Sequence, residues 1–146
     1  MLNDSIKLVG QLKLTLTRPS GHVKHEVIVP NLVVTTGKNF IASRIKDASA
    51  TAMTHMAIGT GSTAAAAGNT ALGSEAGRVA LTSTTVTDNA VAYVATFAAG
   101  TGTGAITEAG LLNASSSGTL LCRTVFSVIN KASADTLGIT WTVTVS

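Results

Sequence analysis

The sequence is poor in the residues that most often carry chemistry or covalent cross-links. Only 12% of its 146 residues are charged and 3% are aromatic, and Cys122 is its one cysteine. A single cysteine excludes an internal disulfide and a thiol-rich metal site. No apolar run approaches the roughly 18 residues that a spanning helix needs, and the N-terminus lacks the apolar core of a signal peptide. We therefore expect a protein made in a reducing cytoplasm, with no membrane as its partner.

The shortage of charge also bears on the surface. A typical domain carries about 25% charged residues, so Thr, Ser, Asn, Gly and Ala have to cover much of this one. Surfaces of that kind resist aggregation poorly unless they pack against something. The composition therefore favours a protein that works within an assembly. A secreted or adhesive β-domain fits the composition equally well.

The net charge of +3 is unevenly placed. Residues 1–46 carry seven Lys or Arg against two acids, whereas residues 47–146 carry three against five. The N-terminal part thus has the charge to face an acidic partner surface or nucleic acid. The alternative, which we favour, is that these are separate solvated side chains on the outer faces of strands.

The clearest local pattern is the strict alternation from Leu137 to Ser146. Five apolar side chains, with Trp141 in the middle, alternate with glycine or hydroxyl-bearing residues. Period two indicates a strand with one face in a core. We predict that Trp141 anchors that core and that removing residues 137–146 abolishes the soluble folded protein.

Weaker patterns of the same kind predict the rest of the fold. Strands are predicted over residues 6–17, 22–29, 56–58, 78–87, 90–98, 105–113 and 120–129. Turn-forming residues join two pairs of them, at 18–21 and at Asp88-Asn89. One short helix is predicted at about residues 37–46, with Thr35 or Thr36 as its N-cap. The other predicted core anchors are Phe126, Phe97 and Phe40.

These elements together favour one all-β domain over residues 1–146. We predict a jelly-roll-like β-sandwich of about 7–9 strands with the single helix, because hairpins alternate with long loops. The segment 59–77, here called the arm, is rich in Ala, Gly and Thr. It is long for a loop of a compact domain, so we expect it to be functional or to lie over a partner.

Motifs for catalysis or cofactor binding are incomplete. Gly37-Lys38 lacks the rest of a phosphate loop, and Gly59-Thr60-Gly61 lacks the third glycine of a dinucleotide loop. His22 and His25 fall on opposite faces of a strand, and no other ligand completes a metal set. We therefore predict no catalytic residue, no cofactor and no metal: the chain is not expected to be an enzyme.

Glu108 and Cys122 are two further residues for which the sequence predicts a structural role. Glu108 lies in an apolar context and is predicted to form a structural ion pair with Arg78 or Arg123, the Glu108–Arg78 pair being our candidate. Cys122 is predicted to be an inert core residue.

Direct nucleic-acid binding is not expected, because one Trp, one Tyr and three Phe leave few surfaces for base stacking.

Several segments of the chain carry a resemblance to a group of known proteins. The segments are Met56-Ala57-Ile58-Gly59-Thr60-Gly61, Ala71-Leu72-Gly73-Ser74-Glu75 with Arg78-Val79-Ala80, residues 102–111, Arg123-Thr124-Val125-Phe126, residues 137–146, and Asn31-Leu32-Val33-Val34 with Gly37-Lys38-Asn39. They resemble virion proteins of tailed bacteriophages. The resemblance covers nearly the whole chain, thins over the first thirty residues, and extends to small capsid cement (decoration) proteins with jelly-roll folds and to tail-fibre modules.

The resemblance implies a cement protein on the capsid exterior, made in the host cytoplasm. It would bind the outer shell between major capsid subunits and stabilise it, with the major capsid protein and a second copy of itself as partners. A dimer on two-fold positions is the expected self-association, and a trimer is the alternative.

The other interpretation is a tail-fibre, collar or head-fibre module that binds a receptor or glycan, and the scarcity of aromatic residues disfavours it. In the cement interpretation we expect contacts from the N-terminal hairpin and the arm. The candidate contact residues are Lys7, Lys13, Arg18, Lys24, Thr60, Ser62 and Thr63.

Overall fold

The computed structural model describes residues 5–46 and 50–146 and confirms an all-β sandwich with one helix in these ranges. The elements are β1 (Leu8–Thr17), β2 (Val23–Pro30), β3 (Leu32–Val33), α1 (Thr35–Lys46), β4 (His55–Gly59), β5 (Glu75–Ala80), β6 (Ser83–Thr87), β7 (Ala90–Phe97), β8 (Gly104–Leu112), β9 (Leu120–Lys131) and β10 (Thr136–Val145). Sheet A has the strand order β2-β1-β10-β7-β6, and sheet B has the order β3-β9-β8-β4-β5. Every strand pair is antiparallel.

Strand β10 is the centre of sheet A. It pairs with β1 from Leu8↔Val145 to Thr17↔Thr136 and with β7 on its other edge. Its inward side chains are buried, Trp141 completely, as the alternation of the sequence predicts. Since both edges of β10 are paired, the sheet depends on this strand for its continuity.

The main core lies between the two sheets and contains most of the predicted anchors. Trp141 and Phe97 are fully buried and Phe126 nearly so, whereas Phe40 on α1 is half-buried against the same cluster. Each large side chain that is fully buried contributes about 1.5–3 kcal/mol of transfer free energy. The sandwich is therefore held mainly by apolar burial between its sheets.

The structure has more strands than the predicted 7–9, in part because one predicted strand is divided into two. The segment 78–87 is divided at Leu81-Thr82, so that β5 belongs to sheet B and β6 to sheet A. The backbone N–H groups at the crossing are satisfied by Thr54 O, 2.9 Å from Leu81 N, and Val94 O, 2.7 Å from Thr82 N. With the two-residue strand β3, the described chain has ten strands.

The helix begins earlier than predicted, and neither predicted threonine caps it. Lys38 N donates to Val34 O at 3.0 Å, so the carbonyl that accepts the first helical bond belongs to Val34. Thr36 lies inside the helix, and its hydroxyl donates to Leu120 O on β9 at 2.8 Å. This hydroxyl therefore attaches the helix to sheet B instead of capping it.

Candidate functional site: a buried ion pair and the surfaces around it

Glu108 is turned out of the main core by an irregularity in β8. The register of β8 against β9 shifts between Ile106 and Glu108, so that Ile106 and Ala109 both face the main core. A β-bulge of this kind re-aims the side chains that follow it. Glu108 consequently lies on the outer face of sheet B, where the arm covers it completely.

The Glu108 carboxylate accepts five hydrogen bonds. Oε1 accepts from the backbone N–H of Gly61 at 3.0 Å and of Ser74 at 2.7 Å. Oε2 accepts from Gly73 N at 2.9 Å and from Arg123, whose Nε and Nη2 lie 3.0 and 2.8 Å away. Burial by itself raises the pKa of this carboxyl, but the backbone and Arg123 hydrogen bonds outweigh burial and hold the pKa below its ordinary value.

Arg123 extends the same network to the middle of the arm. Its side chain is 2% exposed, and it donates from Nη1 to Asn69 Oδ1 and from Nη2 to Thr63 O, both at 3.0 Å. The pair thus bonds the arm at five residues: Gly61, Thr63, Asn69, Gly73 and Ser74. The buried charges of Glu108 and Arg123 therefore hold the backbone of the arm in place on sheet B.

Two glycines of the arm are required by this close approach. A Cβ on Gly61 would lie 2.5 Å from Glu108 Oε1, and one on Gly59 would lie 2.6 Å from the same atom. No side chain fits at such distances. Glycine lets the backbone N–H of residue 61 donate to the carboxylate, and at residue 59 it lets the backbone pass beside Glu108. The small-residue composition of the arm therefore has a local cause at these positions.

The predicted Glu108–Arg78 pair is wrong. Arg78 instead bonds Glu75, with Nη2 2.6 Å from Oε1, and donates to Ala114 O and Ser117 O at 2.9 Å. Strand β4 separates Arg78 on β5 from Glu108 on β8, whereas Arg123 lies on the adjacent strand β9. The other predicted partner, Arg123, is the one that Glu108 has.

The hydrogen-bonding capacity of the Glu108 carboxylate is taken up within the protein. Both carboxylate oxygens accept from donors, and the side chains of Arg123 and Glu108 are 2% and 0% exposed. Within residues 5–46 and 50–146, no three His, Cys, Asp or Glu side chains cluster as metal ligands do. Cys122 is buried, and burial raises the pKa of its thiol well above the ordinary value. The described part of the chain also has no helix long and apolar enough to span a bilayer.

The predicted basic contact residues do not form one patch. Lys7 precedes β1 and Arg18 follows it, so the length of the strand, roughly 35 Å, separates them. Lys13 lies 3.5 Å from Glu26, and Lys24 lies 2.8 Å from Asp135. The N-terminal hairpin therefore presents spaced and partly neutralised charges.

The arm covers a surface of its own domain, sheet B. With Leu72 it closes a second small cluster that contains Val34, Ala57, Leu112 and Leu120. Of the predicted arm contacts, the Thr60 hydroxyl donates to Ser74 Oγ at 3.3 Å, Thr63 O accepts from Arg123, and Ser62 is exposed. The arm therefore covers sheet B of its own chain, and its contact with a partner stays a prediction.

A surface that no motif indicated lies on the outer side of sheet A. The adjacent strands β10, β7 and β6 contain no charged residue. Register places Thr142, Ala92 and Thr85 in one row across them, and Thr144, Ala90 and Thr87 in the next. We call this exposed to half-buried surface the threonine face; its residues are Thr85, Thr87, Ala90, Ala92, Val94, Thr96, Thr140, Thr142 and Thr144.

The chain matches no protein-family model, no curated protein and no solved structure. Its described residues present an internal ion pair with a fully hydrogen-bonded carboxylate, an arm bonded to sheet B, and an uncharged face on sheet A.

Proposed function

We propose that this chain is a virion structural protein, a capsid cement protein that binds the outer shell between major capsid subunits and stabilises it. The observation that carries the proposal is the threonine face. It spans three neighbouring strands without a charge, and its edge strand β6 is exposed at every residue. An open uncharged edge invites pairing and aggregation unless it is covered. An assembly in which every copy is covered accounts for such a surface.

The threonine face suits adhesion to a large protein surface. Its hydroxyl groups donate and accept hydrogen bonds, and its methyl groups bury apolar area without the desolvation cost of charge. Contacts of this kind are individually modest and add when one copy touches several shell subunits. The partners in this proposal are the major capsid protein and a second copy of this chain, with the mature protein on the virion exterior. The phage-like segments in the sequence support the same conclusion.

Copy number in purified particles tests the proposal. Calibrated peptide quantification gives the ratio of this chain to the major capsid subunit. A ratio near one-to-one, or another stoichiometry that matches the capsid lattice, supports a cement protein. A handful of copies per particle places the chain in the tail or a fibre and contradicts the proposal, as does its absence from particles.

A matched pair of variants tests whether the threonine face makes the contact. Thr85→Lys with Thr142→Lys places two cations on that face and should lower the copy number per particle severalfold, while circular dichroism and melting remain near wild type. Ser115→Lys with Ser116→Lys adds the same charge to the exposed 114–118 loop and should leave the copy number unchanged. Equal incorporation of both variants would assign the contact to another surface.

A further inference from the structure

An open groove runs between α1 and the end of sheet A at which β1 begins. It has a volume of about 760 Å³. Its walls come from the start of β1, from β3, from α1 and from the end of β10, with Ile41 and Val33 among the lining residues. The groove thus lies where the helix meets the start of β1 and the end of β10.

More than half of the exposed large apolar side chains that the structure describes line the groove. Nine large hydrophobic residues are exposed among those the structure describes, and five of the nine line this one channel. Ile6 and Ile45 are 76% and 78% exposed. The other three are Val9, Leu32 and Val145. Single exposed apolar residues are ordinary, but a contiguous group around a concave surface marks an interaction site.

Among residues 5–46 and 50–146, the charged residues that line the groove are of one sign. They are Lys7 and Lys38, and both are exposed. Neither forms a salt bridge with another described residue. A partner that fills the channel therefore gains from apolar side chains in the middle and carboxylates at the two lysines.

We propose that this groove binds an acidic amphipathic segment of a different protein, with large apolar side chains on one face and carboxylates beside them. Within residues 5–46 and 50–146, a second copy of this chain supplies such a segment poorly. Of the acids that the structure describes, Glu26, Glu75, Glu108 and Asp135 are already in ion pairs, which leaves Asp88. An amphipathic helix laid in a groove is a common mode of peptide recognition. The inference is independent of the proposed cement function.

The test uses the full chain and a designed peptide. The probe is a fluorescein-labelled helical peptide of about 14 residues, with leucines spaced to form one face and glutamates elsewhere. Fluorescence anisotropy should show saturable binding that weakens severalfold between about 50 and 300 mM salt. The same peptide with lysine in place of every glutamate should bind at least about tenfold more weakly, because its charges are repelled.

Exposed-site variants locate the binding. Ile45→Asp, and Lys7→Glu combined with Lys38→Glu, should each weaken binding of the acidic peptide about tenfold or more. Val128→Asp and Arg18→Glu change exposed residues elsewhere and should bind as the wild type does. Because none of these side chains is in the core, circular dichroism should report the same fold for all of them.

Four results would overturn the proposal. They are the absence of saturable binding, equal affinity for the lysine peptide, a dimer in sedimentation that Ile45→Asp converts to a monomer, and tighter binding to phosphatidylglycerol vesicles than to the peptide. The third assigns the groove to a second copy, and the fourth to a membrane surface. Peptide binding and the copy number per particle are separate measurements. Failure of the groove proposal is therefore distinguishable from failure of the proposed function.

Discussion

Arg123 and Glu108 share two hydrogen bonds, 3.0 and 2.8 Å long, in a place where their side chains are 2% and 0% exposed. The pair lies outside the main core, between sheet B and the arm. Burying two charges costs about as much as their attraction returns. The main contribution of the pair is to position the arm, because the pair and its backbone donors hold the arm on sheet B.

Removing one partner of this pair should be far more costly than removing a surface partner. Arg123→Met leaves the Glu108 carboxylate buried without its cation, and we expect a loss of about 3–5 kcal/mol in the free energy of unfolding. Urea denaturation followed by Trp141 fluorescence measures it. Lys13→Met is the matched control, because Lys13 and Glu26 are about half exposed and 3.5 Å apart, and it should cost less than about 1 kcal/mol. Similar losses for the two variants would contradict a structural role for the buried pair.

Stability should fall in acid, and Glu108 should account for part of the fall. Its pKa is held below the ordinary value in the folded protein, so the folded state binds fewer protons than the unfolded state as the pH falls. Its contribution is therefore present above the ordinary carboxyl pKa of about 4.3 and is lost as the pH drops through the folded-state pKa. The pKa of Asp135 is also lowered, chiefly by its hydrogen bond from Lys24.

Unfolding measured between neutral pH and about pH 2 compares the wild type with Glu108→Gln and Asp135→Asn. Each variant should be less stable than the wild type at neutral pH and should show a shallower decline on acidification. A Glu108→Gln curve that runs parallel to that of the wild type over the whole range would show that Glu108 does not contribute to the acid sensitivity.

Alanine substitutions at two glycines of the arm distinguish a glycine that is required by a close contact from one that only adds flexibility to the unfolded chain. Gly61→Ala places a Cβ 2.5 Å from Glu108 Oε1 and should destabilise the protein by about 1–3 kcal/mol, as overpacking does. Gly68→Ala meets nothing within 4 Å and should be neutral or stabilising by up to about 1 kcal/mol. Thermal melts of the two variants make the comparison. A neutral Gly61→Ala would mean that the arm can move away from Glu108 without loss.

The Trp141 indole is expected to contribute by volume and not through its N–H. Trp141 is fully buried, and its Nε1 has no hydrogen-bond partner in the described structure. Trp141→Phe removes that unpaired donor together with part of the ring, so it should cost clearly less than Trp141→Ala, for which about 3–5 kcal/mol is expected. Chemical denaturation monitored by circular dichroism measures both, since neither variant retains a tryptophan. Equal costs would contradict a contribution that depends on the volume of the side chain.

Local patterns in the sequence are sufficient to predict a structural feature when a single physical rule determines that feature. The alternation of 137–146 predicts β10 and the burial of Trp141, because a strand with one wet face needs period two. Asp88-Asn89 forms the predicted two-residue turn, and Asp88 has a positive φ of 52°. The sandwich follows from many such strands with few helical signals.

Other features depend on contacts that no local pattern contains. The register shift before Glu108 decides which face the carboxylate takes. Ile106 pairs with Ile129 whereas Glu108 pairs with Val125, and the composition of the two strands does not reveal this irregularity. The crossing at Leu81-Thr82 is hidden because no glycine or proline interrupts residues 78–87. The choice of Arg123 over Arg78 follows from strand order, which the sequence leaves open.

The pairing of β1 with β10 has a kinetic consequence. Leu8 faces Val145 and Thr17 faces Thr136, so the central ladder of sheet A joins the two ends of the described chain. Loop-closure entropy has to be overcome before such distant partners gain their contacts, and topologies of this kind fold in milliseconds to seconds instead of microseconds. During synthesis, the apolar face of β1 emerges long before its partner strand exists. We expect refolding to be slow and yield to fall with protein concentration, with the unpaired β1–β2 hairpin as the species that aggregates.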